Sequence, residues 1–313
     1  MSLDRELATY LTTPFPNNFD DIEWSRREQS RLADASPRAS APDSVTWADQ
    51  SIATKKSGEP LRVRIYRPHA VVGPASALLF FHGGAFVFGG LESEHSRCVR
   101  YCVDAQCVVV SVEYSLAPEH PFPTAFNEAV RSLQWLWDNA ASLEIDPSRI
   151  GVAGVSAGGA IASGLVLHAR DTGGPTVRAQ LLVYPVTDSS TNTPSMKEFF
   201  RAEPFDGERA RKMWGLYVTS MSQDVSPYAS VARANELRDM PPTYLVTADL
   251  DPLRDEGLAY ALALINAGNT VELHHFPRTY HGFDAVAPDA RLSRRALAEQ
   301  CLFLREELGD AIA

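Results

Sequence analysis

From residue 44 onward the apolar positions follow two rhythms. LRVRIYRP (61–68) places Leu61, Val63 and Ile65 at every second position, and SVTWADQSI (44–52) begins the same way with Val45 and Trp47, the period of a strand with one buried face. ALLFFH (Ala77–His82) and CVVVSVEY (Cys107–Tyr114) are short continuous apolar runs, as parallel strands buried on both faces require. TAFNEAVRSLQWLWDN follows, with Phe126, Val130, Leu133, Leu136 and Trp137 at helical spacing. RIGVAGV (149–155) predicts a strand and AGGAIASGLVLHAR (157–170) a helix rich in small residues. AQLLVYP, TYLVTA and TVELHHF predict further strands. DEGLAYALALINAG predicts a helix with Gly268 at its C-cap, and DARLSRRALAEQCLFLREEL an amphipathic helix. The alternation predicts an α/β fold, with a mostly parallel central sheet flanked by helices.

Two segments break the rhythm. Met1–Ala41 has helical patches in RELATYL and IEWSRREQSRLADA. Thr187–Met240 starts polar, turns helical over GERARKMWGLYVTS, and is longer than a crossover helix needs. It carries Phe199, Phe200, Phe205, Met213, Trp214 and Tyr217, a density of large apolar groups that needs burial. We therefore expect residues 42–186 and 241–313 to form the core, and residues 1–41 and 187–240 a helical cap.

Composition narrows the function classes. The chain has 313 residues and 45% hydrophobic content, enough for one large core with an appendage. Its net charge is −10, with 29 basic against 39 acidic residues and no basic cluster. That balance does not suit nucleic acid or an anionic membrane as partner. No apolar run reaches the ~18 residues of a membrane span. MSLDRELATYL lacks the basic start and apolar core of a secretion signal. Cys98, Cys102, Cys107 and Cys301 form no C-x-x-C pair and read as free thiols in a reducing cytoplasm. His95, Cys98 and Cys102 share helical spacing, but small buried thiols are common and no metal is expected there.

The stretch GVSAGGAI (Gly154–Ile161) carries the first candidate chemistry. G-x-S-x-G recurs by chance, so its context decides. Here a buried strand precedes Ser156 and a helix opened by Ala157, Gly158 and Gly159 follows, the placement of a nucleophile elbow. The helix N-terminus adds partial positive charge where an oxyanion would form. A serine hydroxyl needs a base and an orienting acid. In this fold class they follow the serine in the order acid, then histidine, on loops after later strands. DLDPLRDE after TYLVTA offers Asp249, Asp251, Asp255 and Glu256. Asp255 and Glu256 read as partners of a helix N-terminus, Asp249 as tied to the strand end. Asp251, followed by Pro252, fits the loop best. PRTYHGF after TVELHHF offers His281, whereas His274 and His275 fall inside a strand, His120 in a Pro-rich loop and His168 on the helix after the elbow. HGGAF (His82–Phe86) directly follows ALLFFH. Its glycines let backbone N–H groups approach a ligand, so the amides of Gly83, Gly84 and Ala157 are candidate oxyanion donors. Gly89–Gly90 reads as a turn.

HGGAF, SVEYSLAPEHPFPTA, GVSAGGA, DLDPLRDEG and HGF, in this order and spacing, resemble the hormone-sensitive-lipase family of α/β-hydrolases, the bacterial family IV carboxylesterases. The resemblance spans roughly residues 60–285. It implies Ser156 as nucleophile, Asp251 as acid, His281 as base, an oxyanion hole at Gly83, Gly84 and Ala157, and a two-part cap. Phe86, Met213, Trp214 and Tyr217 are candidates for the substrate pocket. The chain departs from the family pattern at Val155 (commonly Asp), Ala160 (commonly Asn) and Ser115 (usually Arg). The implied activity is a serine carboxylesterase acting on small, short- to medium-chain esters through an acyl-enzyme, with no cofactor. A homodimer through TVELHHF and the final helix is also implied. The alternatives are a non-catalytic ligand-binding relative, a small-amide hydrolase or peptidase, and a plant-type dehydratase. The complete set Ser156, Asp251 and His281 argues against the first. The small cap without propeller-like repeats argues against an oligopeptidase, and a serine rather than threonine nucleophile argues against the dehydratase.

Overall fold

A computed structural model describes residues 2–11, 16–35, 43–53, 60–71, 73–219 and 225–309. The strands are β1 (Val45–Ile52), β2 (Leu61–Pro68), β3 (Ala75–Phe81), β4 (Val108–Glu113), β5 (Ile145–Val155), β6 (Ala179–Val183), β7 (Thr243–Leu250) and β8 (Val271–Tyr280). The helices are α1 (Arg5–Ala8), α2 (Ile22–Ala35), α3 (His95–Asp104), α4 (Thr124–Asp138), α5 (Ala157–Thr172), α6 (Pro194–Glu198), α7 (Gly207–Tyr217), α8 (Arg254–Asn266), α9 (Phe283–Val286) and α10 (Arg291–Leu308). The strands form one sheet in the order β1-β2-β4-β3-β5-β6-β7-β8. β2 is antiparallel to both neighbours, and from β4 to β8 every pairing is parallel.

The continuous apolar runs fit this sheet because both of its faces are covered. Leu79, Phe81, Val108 and Val110 point into the layer that holds α4, α5 and α8. Leu78, Phe80 and Val109 point the other way, into the layer of α3 and α10. Alternate residues of one strand thus serve two cores, and neither face leaves a polar signature. Among the described residues no helix is long and apolar enough to cross a membrane.

The insertion after β6 contributes α6 and α7. Thr193 caps α6 through its side chain, and Asp206 caps α7 by accepting from the Arg209 amide at 2.7 Å. Met196, Ala210, Met213, Trp214 and Tyr217 are buried in the same layer as α4 and α5. Two glycines permit this packing: a Cβ at Gly207 would lie 2.4 Å from Met196 O, and one at Gly164 of α5 would lie 2.1 Å from Tyr228 O. Ser220, at the end of the predicted helical run, lies outside the described residues.

The N-terminal segment divides. Asp4 N donates to Arg278 O at 2.9 Å and Leu7 is buried beside α3 and α10, so α1 belongs to the core face. α2 and the residues before it instead meet the insertion and the segment after β3: Asp20 pairs with Lys212 (2.7 Å), Phe19 packs edge-on against Phe88 (5.2 Å), and Arg26 Nε donates to Val87 O (2.8 Å). Residues 1, 12–15 and 36–41 of this expected cap segment lie outside the described residues.

Candidate active site

Ser156 stands between the last residue of β5 and the first of α5, with φ 54° and ψ −115°. This conformation is uncommon for a residue with a Cβ and is held by its surroundings. Ser156 N donates to Val183 O (2.9 Å), and Ser156 O accepts from Gly159 N (2.9 Å) and Val186 N (3.1 Å). A Cβ at Gly154 would lie 2.0 Å from Gly158 O, and one at Gly158 would lie 2.1 Å from Phe81 O. The small residues around the serine are therefore a packing requirement of the turn.

Asp251 directly follows β7 and His281 directly follows β8. His281 Nδ1 lies 2.8 Å from Asp251 Oδ2, and Nε2 lies 3.0 Å from Ser156 Oγ. An ionised carboxylate only accepts, so Nδ1–H donates to Asp251 and Nε2 is left to accept the serine proton. Asp251 is fully buried, and its other oxygen accepts from Leu253 N at 2.8 Å. The other acids are placed differently. Asp249 lies on β7, where Oδ2 accepts from Arg278 N (3.0 Å). Asp255 accepts from Ser195 N (2.7 Å), and Glu256 from Thr187 N (2.7 Å) and Asp188 N (3.2 Å). Both sit in the first turn of α8, yet they serve amides of the insertion as well as a helix end, because that loop brings buried donors to them. Among the other histidines, His275 bonds Thr247 (2.9 Å), His274 stacks on Tyr244, and His168 packs edge-on to Phe126 and Tyr228.

The turn after β3 lies against the elbow. A Cβ at Gly83 would be 3.3 Å from Val155 O and 3.7 Å from the Ser156 Cβ. Gly84, Ala85 and Phe86 all have positive φ (116°, 56° and 59°). The turn is closed by Val87 N and Phe88 N donating to Gly84 O (3.0 and 2.7 Å) and by Ala117 N donating to Phe86 O (2.9 Å). His82 is buried, stacks on Tyr114 (4.2 Å) and bonds Gly83 O through Nδ1 (2.7 Å). Burial pushes its imidazole down to about 4, so the ring is neutral near pH 7 and Nδ1–H donates to that carbonyl. Gly89, expected as a simple turn residue, also permits close approach: a Cβ there would lie 2.6 Å from His82 Nδ1.

A family model described as the alpha/beta hydrolase fold matches residues 78–285. The chain belongs to the α/β-hydrolase family. This α/β-hydrolase is 38% identical over 279 residues to Esterase LipI of Mycobacterium tuberculosis, covering 88% of this chain and 85% of that one. It is 33% identical over 300 residues to Ethyl acetate hydrolase of Pseudomonas putida, covering 90% and 92%. A solved structure titled Bacterial Heroin Esterase superposes with a TM-score of 0.94 at 40% identity, covering 98% of each chain. The family branch is that of the hormone-sensitive-lipase carboxylesterases, and the ligand-binding alternative is not favoured.

In this α/β-hydrolase the candidate pocket residues gather beside the turn after β3. Phe86 stacks on Tyr217 with ring centres 3.6 Å apart, and Trp214 lies 6.0 Å from Phe86. Met213 is fully buried in the same layer. Two residues against the histidine escaped the sequence reading. Tyr184 packs edge-on to His281 at 4.7 Å, and Phe205 of the insertion lies 5.0 Å from the same ring. Tyr184 was visible only as the end of a strand beside the elbow, and Phe205 only as one aromatic among several. Tyr184 OH donates to Asp284 Oδ1 (2.6 Å), whose Oδ2 pairs with Arg97 (3.1 Å). The Arg97 charge holds the Asp284 carboxyl below its usual range against the upward push of burial.

The departures are absorbed locally. Val155 and Ala160 are buried, and Ser115 donates through N and Oγ to Glu128 (2.6 and 2.7 Å). His95 Nδ1 lies 2.9 Å from Tyr66 OH. Burial pushes the Cys98 thiol up, and that of Cys102 up to about 12.

Proposed function

We propose that Ser156, His281 and Asp251 hydrolyse small carboxylic esters through an acyl-enzyme, with the amides of Gly83, Gly84 and Ala157 receiving the oxyanion. The observation that carries this reading is the single imidazole bonded to Asp251 on one nitrogen and to Ser156 on the other. As Ser156 Oγ attacks the ester carbonyl, Nε2 takes its proton and Asp251 stabilises the imidazolium. The tetrahedral adduct collapses, His281 returns the proton to the departing alcohol, and the acyl group stays on Ser156. Water then repeats the sequence and releases the acid. Donors aimed at the oxyanion are worth about 3–4 kcal/mol each in such reactions.

α2, α6 and α7 form a cap over this site, and Phe86, Met213, Trp214 and Tyr217 supply apolar walls. The relative named for ethyl acetate supports short- to medium-chain esters. p-Nitrophenyl acetate to p-nitrophenyl palmitate tests both parts. We expect kcat/KM to be highest for the short esters, and Ser156→Ala to lose several powers of ten while staying folded. A Ser156→Ala enzyme near wild-type activity, or a preference for palmitate, would overturn the reading.

The free, buried thiols of Cys98, Cys102, Cys107 and Cys301 support a reducing cytoplasm as its compartment. Cell fractionation that recovers the chain outside the cytoplasm would overturn that placement. We also propose a homodimer through β8 and α10, supported by the position of β8 at the sheet edge and by Leu302, half exposed on α10.

A further inference from the structure

One side chain of α2 reaches both segments that frame the turn after β3. Arg26 Nε donates to Val87 O (2.8 Å) and one terminal nitrogen donates to Ala117 O (2.7 Å). The two terminal nitrogens also donate to the carboxylate oxygens of Glu119 (2.9 and 3.0 Å). Val87 closes the turn that holds Gly84, Ala85 and Phe86 at positive φ, and Ala117 N already donates to Phe86 O. The guanidinium therefore adds a further tie between these segments, beside the Ala117 N bond to Phe86 O and the Tyr114 OH bond to His82 O (both 2.9 Å). The turn needs such support, because Ala85 and Phe86 hold a backbone conformation unfavourable for residues with a Cβ. The guanidinium spreads its donors over three nitrogens and so meets two carbonyls and both carboxylate oxygens at once, whereas the three donors of an ammonium radiate from one atom.

We propose that Arg26 is a positioning residue for the oxyanion turn, so that α2 tunes transition-state stabilisation without touching substrate. The proposal rests on reading Gly83 and Gly84 as oxyanion donors. The ion pair itself contributes little, since the side chains of Arg26 and Glu119 are 29% and 55% exposed and open to screening. The two carbonyl bonds carry the effect.

The test measures kcat and KM for p-nitrophenyl acetate in Arg26→Met, Arg26→Lys, Glu119→Gln and Gly84→Ala, with hydrogen exchange of the 84–88 amides. Misplaced oxyanion donors lower kcat and leave KM nearly unchanged. We expect Arg26→Met to lose about 10- to 100-fold in kcat with KM within about threefold. Its 84–88 amides should exchange faster, and about 20 mM guanidinium should restore part of the lost rate. Arg26→Lys should lose about three- to tenfold and gain nothing from guanidinium. Glu119→Gln should stay within about twofold of wild type. Wild-type kcat in both Arg26 variants would overturn the proposal, as would an equal loss in Glu119→Gln, which would assign the effect to the ion pair. If Arg26→Met does not fold, Arg26→Lys decides by the same kcat and exchange readouts. Gly84→Ala separates the two levels, because its Cβ would lie 2.2 Å from Phe88 O and deform the turn. Wild-type kcat in Gly84→Ala would remove the oxyanion reading itself. Collapse in Gly84→Ala beside an intact Arg26→Met would remove only the role of Arg26.

Discussion

At Ser156 the main chain adopts a strained angle that only its neighbours make tolerable, and those neighbours were legible in the sequence. Gly154 and Gly158 stand where any side chain would strike backbone, so the spacing itself carried the geometry. Asp251 was separable from Asp249, Asp255 and Glu256 because it alone fell clear of strand and helix. Arg26 and Glu256 were not legible, because their partners lie far away in sequence: Arg26 meets residues 61 to 93 positions on, and Glu256 meets amides about 69 positions back. Glu256 makes a prediction of its own. Burial pushes its carboxyl up to about 8, with the Thr187 and Asp188 amides pulling the other way. In the unfolded chain a glutamate titrates near ~4.3. Between those values the folded protein binds the proton and the unfolded chain does not, so this group's contribution to stability falls as pH rises. Glu256→Gln keeps an acceptor for the amides and carries no charge. Its stability relative to wild type should therefore grow between pH 5 and 8.5, by on the order of 2–5 kcal/mol. Urea unfolding at a series of pH values measures this, and a difference independent of pH would contradict it.

Hydrophobic period identified nearly every core element and was silent on direction. The alternating pattern of LRVRIYRP is the same for a parallel or antiparallel strand, so the reversal of β2 appears only in the sheet. The pattern of TVELHHF predicts a strand ending at Phe276, but β8 runs on to Tyr280 through Arg278 at φ 64°. That extension leaves His281 at the strand end, within reach of Asp251. The N-terminal helices were visible as polar periodic patches, and nothing in their pattern told α1 from α2. β8 also bears on assembly. It forms one edge of the sheet, and a second copy could pair there while covering Leu302 of α10. Light scattering should give twice the chain mass at micromolar concentration, and Leu302→Glu should shift it toward the single-chain value. A wild-type protein with single-chain mass across that range would contradict the dimer.

Across the whole molecule, the fold converts distant motifs into one site by bringing strand ends to the same edge. β3, β5, β6, β7 and β8 are consecutive parallel strands of one sheet, so the segments that follow β3, β5, β7 and β8 emerge at the same end. That explains why motif order along the chain was enough to nominate Gly83, Ser156, Asp251 and His281. The insertion proposed as a cap was legible only as an excess of aromatic residues, since where each ring lies depends on how α6 and α7 pack. We propose that one imidazole, oriented by Asp251, activates Ser156 for acyl transfer. A fluorophosphonate probe with mass-spectrometric mapping tests it most directly, comparing wild type with Asp251→Asn and Asp249→Asn. Modification is expected at Ser156 alone, slowed by about 100-fold or more in Asp251→Asn and little changed in Asp249→Asn. Labelling at another residue, or a larger loss in Asp249→Asn than in Asp251→Asn, would contradict it.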